Sequence, residues 1–62
     1  MENDNQISFY KKLKEKGDLA ALYTDNQKFY EIYYYKKNVY EAIFSKDDNS
    51  LLMIKKFGDN RK

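Results

Sequence analysis

Phe29-Tyr30-Glu31-Ile32-Tyr33-Tyr34-Tyr35-Lys36-Lys37-Asn38-Val39-Tyr40-Glu41-Ala42-Ile43-Phe44 is the stretch whose reading decides the fold. It is dense in aromatic and β-branched residues, which suit a pleated surface, and a polar Lys-Lys-Asn cluster interrupts it once. The pattern predicts two antiparallel strands, Lys28 to Lys36 and Val39 to Ser45, joined through Lys36-Lys37-Asn38. Asn38-Val39-Tyr40-Glu41 also resembles a capping box, so a helix over 39–46 is the competing reading. The strand is the reading adopted.

The pairing of these strands can be argued from charge. A three-residue loop with Asn38 left-handed sets Tyr34 opposite Tyr40, Ile32 opposite Ala42 and Tyr30 opposite Phe44, a surface without charge. A two-residue Lys37-Asn38 loop instead sets Glu31 opposite Phe44 and Tyr34 opposite Glu41, which places a carboxylate on both faces. The three-residue loop is therefore expected. The other face would then hold Phe29, Glu31, Tyr33, Tyr35, Glu41 and Ile43.

On the C-terminal side, Lys46-Asp47-Asp48-Asn49-Ser50 separates this hairpin from another strand, Leu51 to Phe57. A three-residue loop there would bring Leu52 and Ile54 onto the uncharged surface, and a four-residue loop would bring Leu51 and Met53; both remain open on sequence alone. On the N-terminal side, Leu19 to Thr24 reads either as a fourth strand or as a short helix capped by Asp18. Before it, Ile7, Tyr10 and Leu13 at spacing three, with Phe9 to Leu13 at spacing four, predict a helix from about Asp4 to Lys16. Asn3 or Asn5 would cap it, and Gly17 would end it in a left-handed conformation. The expected fold is α+β, an N-terminal helix on a three- to four-stranded antiparallel meander spanning about 19–57, with a mobile tail at 58–62.

The chain is one small domain of 62 residues, with 12 Lys+Arg against 10 Asp+Glu and no His, Cys, Trp or Pro. The missing imidazole and thiol exclude Cys and His nucleophiles, Ser-His-Asp triads and nearly all zinc, haem and iron–sulfur sites. No cofactor or metal is expected. Asp47-Asp48-Asn49 lacks the alternating ligands, central Gly and distal Glu of a calcium loop and reads as turn chemistry. Glu31 and Glu41 could be paired carboxylates for acid/base work, but so small a domain offers no cleft to desolvate them, so no enzyme is expected. The polar start Met1-Glu2-Asn3-Asp4-Asn5-Gln6 has no apolar signal-peptide core, and no apolar run approaches the roughly 18 residues of a membrane span. A cytoplasmic location without membrane contact is expected. Lysine and asparagine usage is that of an AT-rich genome, which suggests a low-GC bacterium, its phage or a mobile element by composition alone.

By elimination the expected function is binding. A face holding Phe29, Glu31, Tyr33, Tyr35, Glu41 and Ile43 is unusually aromatic for a solvated surface and is the candidate partner-binding site, for a larger protein or protein–nucleic acid complex or for a homodimer. Inhibition by occlusion is the expected mechanism, in the manner of a phage inhibitor of a host enzyme or defence system. The alternative is a nucleic-acid binder that stacks bases on tyrosine and contacts phosphates with Lys11, Lys12, Lys14 and Lys16. Against it, the only arginine is Arg61 and the net charge is +2. A structural subunit of a larger assembly is a third class.

Overall fold

A computed structural model describes residues 2–59 of the chain, with side chains for 5–58. Its order is α1 (Glu2–Lys16), β1 (Asp18–Thr24), β2 (Lys28–Tyr35), β3 (Asn38–Ser45) and β4 (Leu51–Asp59). The strands form one four-stranded antiparallel sheet in the order β1-β2-β3-β4. One helix packed on a meander is the α+β arrangement the periodicity predicts. The fourth strand exists, and residues 39–46 are not helical. No helix among the described residues is long and apolar enough to cross a membrane.

Helix α1 begins at Glu2, so Asn3 and Asn5 lie inside it rather than at its cap. Leu13 is fully buried against the sheet, while Lys11, Lys12, Lys14 and Lys16 stay in water. The helix stops where the Gly17 amide donates to the Leu13 carbonyl at 2.8 Å. Gly17 is not left-handed. Its role is close approach: a Cβ here would stand 2.8 Å from the Leu13 carbonyl oxygen and 3.1 Å from that of Tyr34. Both are backbone atoms that cannot swing aside, so any larger residue would push the helix end off β2.

The β2–β3 hairpin corrects the expected register. Its loop is Lys36-Lys37, with φ of 51° and 70°, the paired left-handed conformations of a type I′ turn. Asn38 is already in β3, opposite Tyr35, and the pairs run on as Tyr33 with Tyr40, Glu31 with Ala42 and Phe29 with Phe44. Relative to the three-residue loop this is a slip of one residue on β2, and a slip of one turns every β2 side chain over. The helix therefore covers Phe29, Glu31, Tyr33 and Tyr35 together with Tyr40, Ala42 and Phe44. A carboxylate on each face is accommodated because tyrosine hydroxyls satisfy both. Tyr10 Oη and Tyr33 Oη donate to Glu31 Oε1 at 2.7 and 2.9 Å, and Tyr23 Oη donates to Glu41 Oε2.

Aromatic packing fixes the covered layer. Phe29 stacks on Phe44 with centroids 4.8 Å apart, and Tyr10 meets Phe44 edge-on at 5.1 Å. Phe9 sits edge-on to Tyr40 at 4.9 Å and to Tyr35 at 6.1 Å. Such geometries match the positive ring edge to the negative face and add to the area they bury.

Strand β4 combines both expected registers through a bulge. Leu51 lies opposite Phe44, Leu52 is the extra residue, and Met53 then faces Ile43 while Ile54 faces Ala42. Leu51 and Ile54 thus both lie on the helix side, and Met53 on the other. Ser45 and Ser50 close the loop, Asn49 is left-handed at φ 63°, and Asp48 Oδ1 accepts both the Ser50 amide and hydroxyl. Those two bonds to its charged form hold the Asp48 carboxyl below its ordinary pKa. A second irregularity, where Gly58 takes φ 81°, carries β4 on to Asp59, so the expected tail is strand at 58–59. The rest of it, 60–62 with Arg61, lies outside the described residues.

Candidate functional site

The sheet face away from the helix is the candidate site. Alternation from the observed register places Ala21 and Tyr23 of β1, Tyr30, Ile32 and Tyr34 of β2, Val39, Glu41 and Ile43 of β3, and Met53, Lys55 and Phe57 of β4 on it. Phe57 is 56% exposed, and Tyr23, Tyr34 and Met53 are exposed as well. Within this rim Glu41 and Ile43 are each only 7% exposed, although none of the described elements packs over the face. The Tyr23 hydroxyl reaches Glu41 from β1.

Of the expected partner-binding residues, only Glu41 and Ile43 lie on the open face. Phe29, Glu31, Tyr33 and Tyr35 lie beneath α1, and Tyr33 is 4% exposed. The three-residue loop expected from sequence would put Tyr30, Ile32 and Tyr34 on the uncharged surface for the helix to cover, whereas the open face holds them, together with Tyr23, which the sequence assigns to neither face. One signal could have found them. Glu31 and Tyr33 share a face at spacing two, and a helix tyrosine such as Tyr10 offers the further hydroxyl that a carboxylate under a helix requires.

The open face is electrostatically ordered by the same pairing. Tyr23 and Tyr30, directly opposite on neighbouring strands, stack with centroids 4.5 Å apart and planes 12° from parallel. The hydrogen bond to Glu41, with a smaller desolvation effect, pushes the Tyr23 hydroxyl up to about 12. Tyr30 Oη donates to Asp25 Oδ2 at 2.9 Å, which raises its pKa in turn. Asp25 also accepts the backbone amides of Gln27 and Lys28 at 2.9 and 2.8 Å, which hold its carboxyl below the usual aspartate value. The β1–β2 turn and the tyrosine stack are thus one network, anchored at Asp25 and Glu41. Lys55 lies across from Glu41 on β4 and supplies a cation on the same face.

The helix lysines lie on the other side of the sheet from this face. Lys14 Nζ sits 5.7 Å from the Tyr10 ring centroid, on the covered side, and Lys36 Nζ sits 5.5 Å from the Tyr35 ring. Depressions among the described residues include two beside the sheet. One of about 420 Å³ lies between the β1–β2 and β3–β4 loops, lined by Asn26, Gln27, Lys28, Ser45, Asp47 and Leu52. The other, about 270 Å³ and lined by Leu22, Tyr23, Thr24, Phe29 and Tyr30, opens at the β1 edge. Among the described residues no three His, Cys, Asp or Glu side chains group to hold a metal ion. Compared with protein-family models, curated proteins and solved structures, the chain matches none.

Proposed function

We propose that the chain is a small non-catalytic interaction protein that docks on a larger protein through the open face of its sheet and blocks or modulates the surface it covers. The observation that carries this reading is the aromatic rim itself. Tyr23, Tyr34, Met53 and Phe57 stand exposed around Ile43 and Glu41. Exposed apolar clusters of this kind mark association sites, and tyrosine is enriched among residues that dominate binding energy. The nucleic-acid reading is less supported. Its stacking tyrosines and its helix lysines lie on opposite sides of the sheet, so one strand of nucleic acid could not use both without wrapping the domain.

The test is a tagged pull-down with and without nuclease, repeated with a Tyr34→Ala, Phe57→Ala double variant and with Lys11, Lys12 and Lys14 changed together to Glu. Both altered side chains of the first variant are exposed, so the fold should survive. The expected result is a stoichiometric protein partner that withstands nuclease, is lost with the double variant and is kept by the lysine variant. Recovery of nucleic acid, with all binding lost to nuclease or to the lysine changes, would transfer the assignment to the alternative.

A further inference from the structure

The two edges of the sheet are built differently. Edge strand β4 carries exposed Lys55 and Lys56 and two register shifts, devices that discourage a second chain from pairing there. Edge strand β1, Asp18-Leu19-Ala20-Ala21-Leu22-Tyr23-Thr24, has one charge at its end, no proline, and every residue exposed. Its single bulge, at Ala20, leaves Ala21–Thr24 in regular register with β2. Leu22 at 63% exposure stands further into solvent than any other large apolar side chain described.

The direction of the free backbone groups can be worked out. The Asp25 amide donates to the Lys28 carbonyl at 2.9 Å, so the pair Asp25 and Lys28 is hydrogen-bonded. Bonded and non-bonded pairs alternate along an antiparallel ladder, so Tyr23 with Tyr30 and Ala21 with Ile32 bond to β2. Leu22 and Thr24 therefore point their N–H and C=O groups outward. This row of donors and acceptors is self-complementary under a two-fold axis.

We infer that β1 pairs antiparallel with β1 of a second copy, with Leu22 on the two-fold axis, to make a continuous eight-stranded sheet. In that register Leu22 exchanges both backbone bonds with Leu22 of the second copy. Tyr23 lies across from the small Ala21, and Asp18 lies across from Asn26, so no like charges oppose. Centring on Tyr23 would also align the outward groups but would set Leu22 against Thr24. An axis perpendicular to the sheet keeps both helices on one side and both open faces on the other. The inference stands independently of which target those faces bind, and it would double the surface offered to that target. A strand of seven residues is about 24 Å long. With the domain 18 Å thick, the edge covers on the order of 400 Å² per copy, half of a standard interface of about 800 Å² per partner. The dimer is accordingly weak and concentration-dependent.

Light scattering after size exclusion, from about 10 µM to about 1 mM, should show monomer passing to dimer and no higher species. Leu22→Lys sets two cations on the axis and should hold the chain monomeric throughout that range, with an unchanged circular dichroism spectrum because the side chain is exposed. Phe57→Lys, on the open face near the opposite edge, should dimerise like the parent. The chain has no cysteine, so Leu22→Cys gives a separate readout. Two such residues on the axis lie about 5.5 Å apart at Cα, within disulfide range. Mild oxidation should then yield a covalent dimer at least tenfold faster than with Asp48→Cys, in an exposed loop. A parent monomeric at 1 mM, a dimer that survives Leu22→Lys, one lost with Phe57→Lys, or equal cross-linking of the two cysteine variants would each overturn the inference.

Discussion

Replacing Lys37 by glycine should stabilise this protein, and the sign of that change tests the register on which the open face depends. Lys37 stands at φ 70°. An L-residue in the left-handed region costs about 1–2 kcal/mol through the contact of its Cβ with the following carbonyl. Glycine removes that contact but gives back about 0.5–1 kcal/mol in chain entropy. The net gain is about 0.5–1 kcal/mol, or roughly 2–8 °C in Tm for a domain of this size. Lys36 is the poorer position to test, because its ammonium lies 5.5 Å from the Tyr35 ring centroid and its loss would mask the gain. Asn38→Gly supplies the opposite arm. Asn38 is a strand residue bonded opposite Tyr35, with its side-chain amide 3.4 Å from Tyr40 Oη, so glycine there should destabilise by about 0.5–1 kcal/mol. A three-residue loop with Asn38 left-handed reverses both signs. Thermal and urea melts of the two variants, followed by far-ultraviolet circular dichroism, give the answer. A lowered Tm for Lys37→Gly with a raised one for Asn38→Gly would refute the register and return Phe29, Tyr33 and Tyr35 to the exposed side.

Two further outcomes follow from the covered layer and its hydroxyls. Leu13 is fully buried, and truncating such a leucine costs about 3–5 kcal/mol, against a total of about 3–9 kcal/mol for a chain of this length; Leu13→Ala should therefore lose most of its helical signal at 37 °C, and a cooperative melt within a few degrees of the parent would contradict the packing. Tyr10, Tyr23, Tyr30 and Tyr33 all have pKa values raised in the fold, Tyr10 and Tyr33 mainly by burial and then by Glu31, Tyr23 and Tyr30 by hydrogen bonds to Glu41 and Asp25. A tyrosine whose folded pKa lies above its unfolded value near 10 contributes stability that is complete below pH 10 and is lost as pH climbs through the folded value. Absorbance at 295 nm should thus show the native chain ionising later than the urea-unfolded chain, with Tm falling only above about pH 10; coincident titrations would mean the hydroxyls are not held by the carboxylates.

The elements were legible because each carried its own punctuation. The lysine-rich helix end before Gly17, the aromatic runs and the Asp/Asn clusters at 25–26 and 47–49 mark boundaries that the structure keeps. Faces were not legible, because they depend on parity and parity depends on one residue of loop. Lys36-Lys37 is a poor chemical match to a type I′ turn, which prefers Asn-Gly, so local propensity pointed to Asn38 as the left-handed residue. What overrode it was tertiary. The observed register lets Phe29 stack on Phe44 and lets Tyr10 reach Glu31, and the second contact comes from the helix and cannot be seen from the hairpin alone. On β3, where the parity was read correctly, Glu41 and Ile43 fell on the open face as expected. On β2 all four assignments inverted together, as a slip of one requires.

Stability and binding are linked through the small core. Among the described residues the buried apolar side chains are Leu13, Tyr33, Ala42, Ile43 and Phe44, a small core for a chain that has no cysteine to cross-link it. A domain near 60 residues buries only about 60% of its unfolded surface, so covering further apolar area is a direct route to added stability. On the proposed reading, the partner that covers Tyr23, Tyr34, Met53 and Phe57 binds only the folded chain. At a partner concentration 100 times Kd that contributes about 2.7 kcal/mol, which for a domain of this size is a rise of roughly 10–20 °C in Tm. Tyr34→Ala with Phe57→Ala should remove this rise while leaving the free protein's Tm within a few degrees of the parent, since both side chains stand largely in water. A double variant that melts far below the parent on its own would show instead that the open face holds the domain together, and that its aromatic rim is core rather than docking surface.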